Sequence, residues 1–350
     1  MTENDLEFCT LPGLWQTYDV TEQSLAFEAG EHSDALEWQQ RLCAQLITLL
    51  GNFPEQSCDL SPRLLETWEE DGFSCDLIAI QTLPGEHMPC YVLIPANHDN
   101  EILKPVIALH GHGSWGAEAI VKAPQDPLGA ALNKQLNYDY AGQLAKQGYL
   151  VFVPELRGFG RRLEDAEHRD ENDPQWISSC YAVGVNALLL GKTLLGLRVY
   201  DVMRLIDYIR TRPESLTDSL GCVGLSGGGM VTLFTAALDQ RITCAVVSGY
   251  LNTFRDSIMA VRHCLCNVVP GILQIAEMVD IAGLIAPRPL LIETGTQDVI
   301  FPTQAAQLAY ADLGRIYAVF DAAQNLDIDI FEGEHAWSGA KAYGWLAKWL

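Results

Sequence analysis

Lysine and arginine are scarce in this chain of 350 residues: 22 of them face 45 aspartates and glutamates, leaving a formal net charge of −23. A surface so short of cations has little with which to neutralise phosphates, so nucleic acid and anionic membrane surfaces are disfavoured as partners. A polyanionic substrate is disfavoured on the same ground, unless a local basic pocket overrides the overall charge. Long apolar runs are missing too, and no stretch reaches the roughly 20 residues that a bilayer-spanning helix needs. The opening Met1-Thr2-Glu3-Asn4-Asp5-Leu6-Glu7 is acidic and carries no apolar h-region, so no secretory signal is expected. The ten cysteines lack the dense spacing of a disulfide scaffold and are expected to be reduced thiols in a cytoplasmic protein. Internal repeats and low-complexity tracts are absent. What is present is an ordinary globular composition, 49% hydrophobic and 19% charged, in a chain long enough for two domains or one large α/β unit.

Residues 1–64 read as a helical extension packed on the main body. Ser33-Asp34 is placed to cap a helix whose Trp38, Leu42, Leu46, Leu49 and Leu50 share one apolar face. From Leu65 the pattern turns to strands, with Asp71-Gly72 as a hairpin turn and a meander through Cys75–Leu83 and Cys90–Ile94. Short continuous apolar runs then recur at Val106–Leu109, Leu150–Val153, Cys222–Leu225, Cys244–Val247 and Leu290–Ile292. Such runs suit parallel strands buried between helices. The spacing predicts helices over about 138–147 and 188–210, a half-exposed last strand at Leu326–Ile330, and a closing helix over 337–350. The chain is therefore expected to form an N-terminal helical extension (1–64) and an α/β domain (65–350). That domain has a mostly parallel central sheet with helices on both faces.

Gly221-Cys222-Val223-Gly224-Leu225-Ser226-Gly227-Gly228-Gly229-Met230 reads as a buried strand, a sharp turn and a helix start. Gly224-x-Ser226-x-Gly228 has the spacing of a nucleophile elbow. A strained turn lifts the serine hydroxyl clear of the sheet, and glycines on either side avoid a clash. The helix behind it directs free N–H groups and its positive dipole end towards the serine. The bland alternative, a glycine-rich turn with a bystander serine, lacks a reason for the apolar strand before it and the apolar helix face after it.

A serine hydroxyl needs a base, and the base needs an orienting acid. Serine sites of this strand–turn–helix kind take them in chain order Ser, acid, His. Asp298, just past Leu290–Ile292, is the candidate acid, and His335, just past the last strand, is the candidate base. Both fall on the strand-end rim that carries Ser226. Glu293 and Glu334 are the competing acids. The oxyanion donors are expected to be the N–H groups of Gly227 and of His112, the latter in His110-Gly111-His112-Gly113. Those histidines lack a third metal ligand of convincing spacing. His263-Cys264-Leu265-Cys266-Asn267 holds a Cys-x-Cys pair shorter than usual zinc spacings, and reads as a pocket-shaping loop or packed thiols. No metal or other cofactor is expected. The long connections at 114–137 and 161–187 are expected to wall the substrate pocket, with Trp115, Trp176 and Tyr181 as candidate lining residues.

Together with Arg157-Gly158-Phe159-Gly160 and Ala286-Pro287-Arg288-Pro289, these motifs resemble the α/β-hydrolase family over about residues 65–350. Within it the likeness is to dienelactone-hydrolase-type and acetyl-xylan-esterase-like bacterial enzymes. The resemblance implies the α/β-hydrolase fold, a Ser226–Asp298–His335 triad, and an oxyanion hole from Gly227 and His112. It also implies hydrolysis of a small ester, acetyl-type on a neutral alcohol or sugar. The chain departs from dienelactone hydrolases in having Ser226 where they have cysteine, and from many acetyl xylan esterases in showing no export signal. Carbon–carbon or lactone cleavage on the same scaffold, and a non-catalytic binding role, are the alternatives. The sequence is compatible with a homo-oligomer and does not decide it.

Overall fold

The computed structural model describes residues 9–28, 30–96, 102–170 and 177–350. Nine strands form its sheet: β1 (Arg63–Glu70), β2 (Phe73–Leu83), β3 (Glu86–Pro95), β4 (Pro105–Leu109), β5 (Leu150–Pro154), β6 (Gly221–Leu225), β7 (Cys244–Ser248), β8 (Leu290–Gly295) and β9 (Leu326–Phe331). Their spatial order is β1-β2-β3-β5-β4-β6-β7-β8-β9. The first three pair antiparallel, β3 joins β5 antiparallel, and every later pairing is parallel. The helices are α1 (Leu11–Val20), α2 (His32–Leu49), α3 (Glu118–Val121), α4 (Pro127–Leu136), α5 (Tyr140–Lys146), α6 (Cys180–Leu189), α7 (Leu194–Ile209), α8 (Gly227–Leu238), α9 (Met278–Gly283), α10 (Thr303–Val319) and α11 (Ala342–Trp349).

Strands β4 to β8 are buried along their whole length because alternate side chains feed two cores. Ile107, Phe152, Cys222, Val247 and Ile292 pack on one face with α2 and α7 to α10. Val106, Val151, Val223, Val246 and Leu291 pack on the other with α3, α5 and α11. This two-sided burial is why these strands read as unbroken apolar runs rather than alternating ones. The N-terminal extension shares the first core through Trp38, Leu42, Leu46 and Leu50.

Several expectations shift in detail. The first strand starts at Arg63, two residues before the expected boundary. Helix α2 begins at His32 with Glu31 at its N-cap and no side-chain cap, so Ser33 lies inside the first turn rather than capping it. The helix expected over 188–210 is α7, which starts only at Leu194; residues 188 and 189 end α6, a helix that lies mostly in the stretch expected as a connection and meets α7 at 97°. Gly191 turns left-handed at φ +70°, and the Thr193 side chain accepts from Gly196 N–H at 2.9 Å and starts α7 afresh. The connection at 114–137 is not plain loop either, since it holds α3 and α4. No single helix among the described residues is long and apolar enough to cross a membrane.

Candidate active site

Ser226 stands at the turn between β6 and α8 with φ +59° and ψ −119°, a backbone that few residues other than glycine adopt. Its flanking glycines are required by proximity rather than by dihedral. A Cβ at Gly224 would sit 2.4 Å from the Gly228 carbonyl carbon, and one at Gly228 would sit 1.8 Å from the Leu109 carbonyl oxygen. The turn is thus pressed against the end of β4. Ser226 N–H is tied to Ser248 O at 2.9 Å. A cavity of about 470 Å³ opens over the serine, lined among others by His112, Gly227, Leu136, Tyr250, Phe301 and His335.

Asp298 and His335 meet at this rim. His335 Nδ1 lies 2.6 Å from Asp298 Oδ2. Asp298 Oδ1 accepts from the N–H groups of Ile300 and Phe301, both at 2.9 Å, which fixes the carboxylate. The imidazole stacks on Phe301 with ring centroids 5.7 Å apart, and it covers Gly249, whose Cβ would come within 2.9 Å of His335 Cε1. Its Nε2 is buried and carries no hydrogen bond. Ser226 and His335 line the same cavity. The competing acids point elsewhere. Glu293 accepts from Gly339 and Ser338 N–H at 3.0 and 3.4 Å, and Glu334 accepts from Gln135 Nε2 at 3.3 Å.

His112 lies beside Gly227: a Cβ on that glycine would come within 2.8 Å of His112 Nδ1 and 3.7 Å of its backbone nitrogen. Burial pushes the His112 imidazole down to about 4, so it is neutral near pH 7. The preceding loop is held by Tyr138, whose hydroxyl accepts from Gly111 N–H at 2.6 Å, and by His110, whose Nε2 accepts from Leu156 N–H at 3.1 Å. His110 is wholly buried in this support and does not reach the cavity.

The expected aromatic wall differs. Tyr181 is 64% exposed on α6 and does not line the cavity. Trp115 lines a small adjoining hollow instead, where its Nε1 donates to Asp126 at 3.0 Å at the start of α4. Trp176 lies outside the described residues. The loop 262–267 does shape the cavity, through Arg262, His263, Cys264 and Asn267.

Three residues escaped the sequence reading. Glu155 is buried between Gly116 and Gly160, and its carboxylate accepts from Ala117 and Arg161 N–H at 2.9 and 3.2 Å. Arg198 is fully buried on the apolar face of α7, an arginine within a hydrophobic stripe that could have been noticed. Its Nη2 donates to Cys180 Sγ at 3.1 Å. Hydrogen bonds from Cys264 and Cys266, with Arg198 beside them, hold the Cys180 thiol well below the usual range, while burial pushes Cys266 up to about 12.

With the geometry in hand, the likeness to known proteins is informative. The sequence model of one abhydrolase family matches residues 16–312. The chain belongs to that abhydrolase family. It is 26% identical over 317 residues to YtaP of Bacillus subtilis strain 168, a match covering 87% of this chain and 98% of that one. Among solved structures it is similar to a candidate acetyl xylan esterase of Bacteroides fragilis NCTC 9343, with a TM-score of 0.75, 18% identity, and coverage of 95% and 84%. A glucuronoyl esterase from Solibacter usitatus gives a TM-score of 0.67 at 13% identity, covering 93% and 96%. Acetyl xylan esterase 1 from Thermoanaerobacterium sp. JW/SL YS485 gives 0.56 at 17%, covering 96% and 98%. These structural likenesses show that this abhydrolase has the α/β-hydrolase fold.

Proposed function

We propose that this abhydrolase is a serine carboxylester hydrolase. Ser226 attacks the ester carbonyl and His335 Nε2 takes its proton. Asp298 holds the imidazole in the tautomer with hydrogen on Nδ1 and stabilises its charged form. The oxyanion of the tetrahedral intermediate is received by the N–H groups of Gly227 and His112. As the intermediate collapses, His335 gives that proton to the departing alcohol, leaving an acyl-enzyme and a neutral imidazole, which then activates water to release the acid. The observation that carries this reading is one imidazole with Nδ1 2.6 Å from a buried carboxylate and Nε2 unbonded, sharing a cavity with a serine held at φ +59°.

The substrate we infer is a small, acetyl-type ester of a neutral alcohol or sugar. The cavity is lined mainly by apolar side chains, while Arg262 and Glu334 bring one charge of each sign to its lining, so no net charge is demanded of the ligand. The esters handled by the esterases named above make the same class the natural one to test. A panel of p-nitrophenyl esters of increasing acyl length is expected to favour the shortest. In Ser226→Ala, kcat is expected to drop by a factor on the order of 10⁵–10⁶. Wild-type turnover by that variant would refute the assignment, and faster cleavage of β-diketones than of esters would redirect it to carbon–carbon hydrolysis.

A further inference from the structure

The two nitrogens of His112 face different surroundings. Nδ1 lies on the Gly227 side, next to the candidate oxyanion site. Nε2 lies 3.2 Å from Cys266 Sγ. Cys180, the first residue of α6, and Cys264 complete a cluster in which the ligand atoms of His112, Cys180 and Cys264 all fall within 4.8 Å of one another. Cys266 joins them through its sulfur, which is the atom against His112 Nε2. Three thiols and an imidazole from three distant chain segments therefore converge on one point.

Each sulfur has its own N–H donor. Arg198 Nη2 donates to Cys180 Sγ at 3.1 Å, Cys266 N–H to Cys264 Sγ at 3.4 Å, and Asn267 Nδ2 to Cys266 Sγ at 3.7 Å. A neutral thiol gains little from such donors, whereas a metal-bound thiolate is oriented and stabilised by them. We propose that His112 Nε2 and the Sγ atoms of Cys180, Cys264 and Cys266 form a structural Zn²⁺ site.

Size and charge both fit. Zinc–sulfur bonds of about 2.3 Å and zinc–nitrogen bonds of about 2.0–2.1 Å give tetrahedral edges of roughly 3.5–3.8 Å. The ligand atoms of His112, Cys180 and Cys264, within 4.8 Å of one another, need to close by about 1 Å, and Cys266 Sγ already lies 3.2 Å from His112 Nε2. Three thiolates, one Zn²⁺ and the Arg198 guanidinium sum to zero, so the buried assembly carries no net charge. A monovalent soft ion would leave it negative. Four protein ligands leave no open position, so the ion acts as a clamp and not as an activator of water. It would tie together the loop after β4, the start of α6 and the 264–267 loop, and thereby hold the loop that carries the His112 N–H. Binding releases the thiol protons.

The test reads metal, not turnover, so its outcome is independent of the ester-hydrolase reading. Protein purified under a phosphine reductant is stripped with a chelator and titrated with Co²⁺. Uptake of one ion per chain is expected, with a thiolate-to-cobalt charge-transfer band and the intense ligand-field bands of a tetrahedral site, both bleached by one equivalent of Zn²⁺. Cys180→Ser and Cys264→Ser are expected to weaken Zn²⁺ binding by at least about 100-fold, while Cys43→Ser leaves it unchanged. A wild-type readout covers variants that fail to fold: bound Zn²⁺ should shield Cys180, Cys264 and Cys266 from alkylation, mapped by mass spectrometry. Absence of the charge-transfer band, or equal alkylation with and without Zn²⁺, overturns the proposal.

Discussion

Two carboxylates leave the same strand and do different things. Glu293 lies within β8 and Asp298 follows three residues after its end, and both are buried. Asp298 faces an imidazole at 2.6 Å and takes two backbone N–H groups on its other oxygen. Glu293 faces no such ring, receives the N–H groups of Ser338 and Gly339, and lies near Asp329. Burial pushes the Glu293 carboxyl from 4.5 up to about 7, with Asp329 adding to the rise. Neither burial nor closeness to a strand end therefore marks the acid that serves the candidate base. The loop onto which each carboxylate projects decides it.

The sharpest break between the two is kinetic. Asp298→Asn should lower kcat by roughly 10⁴-fold by destabilising the productive imidazole tautomer. Glu293→Gln should stay within about tenfold of wild type, because its side chain meets Ser248 and the Ser338–Gly339 loop and not the imidazole. Steady-state kinetics on a short p-nitrophenyl ester compares them directly, and the reverse ranking would make Glu293 the working acid.

A second break displaces the base instead of its acid. In Gly249→Ala the new methyl, on a backbone at φ +55°, would lie 2.9 Å from His335 Cε1. Pushing the imidazole off Asp298 should cost about 10²-fold in kcat. An unchanged kcat would show that the ring is not held where the structure has it.

The third prediction concerns pH. A carboxyl raised from 4.5 to about 7 holds a proton in the folded chain that the unfolded chain has already lost. Between those values folding takes up a proton, so this group's contribution to stability is full below about pH 4.5 and is lost as pH rises through 7. The loss is on the order of 3 kcal/mol. Thermal unfolding at pH 5 and pH 8 should show a smaller drop for Glu293→Gln than for the wild type. Equal drops would mean that Glu293 does not titrate in that range.

The smallest effect is expected at Ser338, whose hydroxyl donates to Asp329 Oδ2 at 2.7 Å and whose N–H reaches Glu293. Ser338→Ala should cost about 1 kcal/mol of stability and leave kcat unchanged, as a urea titration and the ester assay would show. A large loss of kcat would mean that the loop holding Glu293 also sets the position of His335.

The elbow was legible because its reasons are local. Gly224, Ser226 and Gly228 lie within five residues, and the apolar strand before them and helix after them are periodic patterns. The buried parallel strands and the fold class followed from the same kind of pattern. The α6–α7 bend was not legible, since Gly191 and Thr193 are weak signals inside an otherwise helical apolar stretch. The pocket wall was misread at Tyr181 because that part of the expected connection is helix α6, which leaves this side chain exposed.

What the sequence determined by itself is a sheet of buried parallel strands with a serine lifted at one turn, because steric and hydrophobic periodicities act over a few residues. What only the tertiary structure decided is which groups touch across that sheet's edge: the contact of Asp298, already the candidate acid by chain order, with His335, and that of Cys180 with Arg198 beside His112 and the 264–267 loop. Those pairings join residues far apart in the chain, and they are fixed by loop paths and packing that no local pattern encodes.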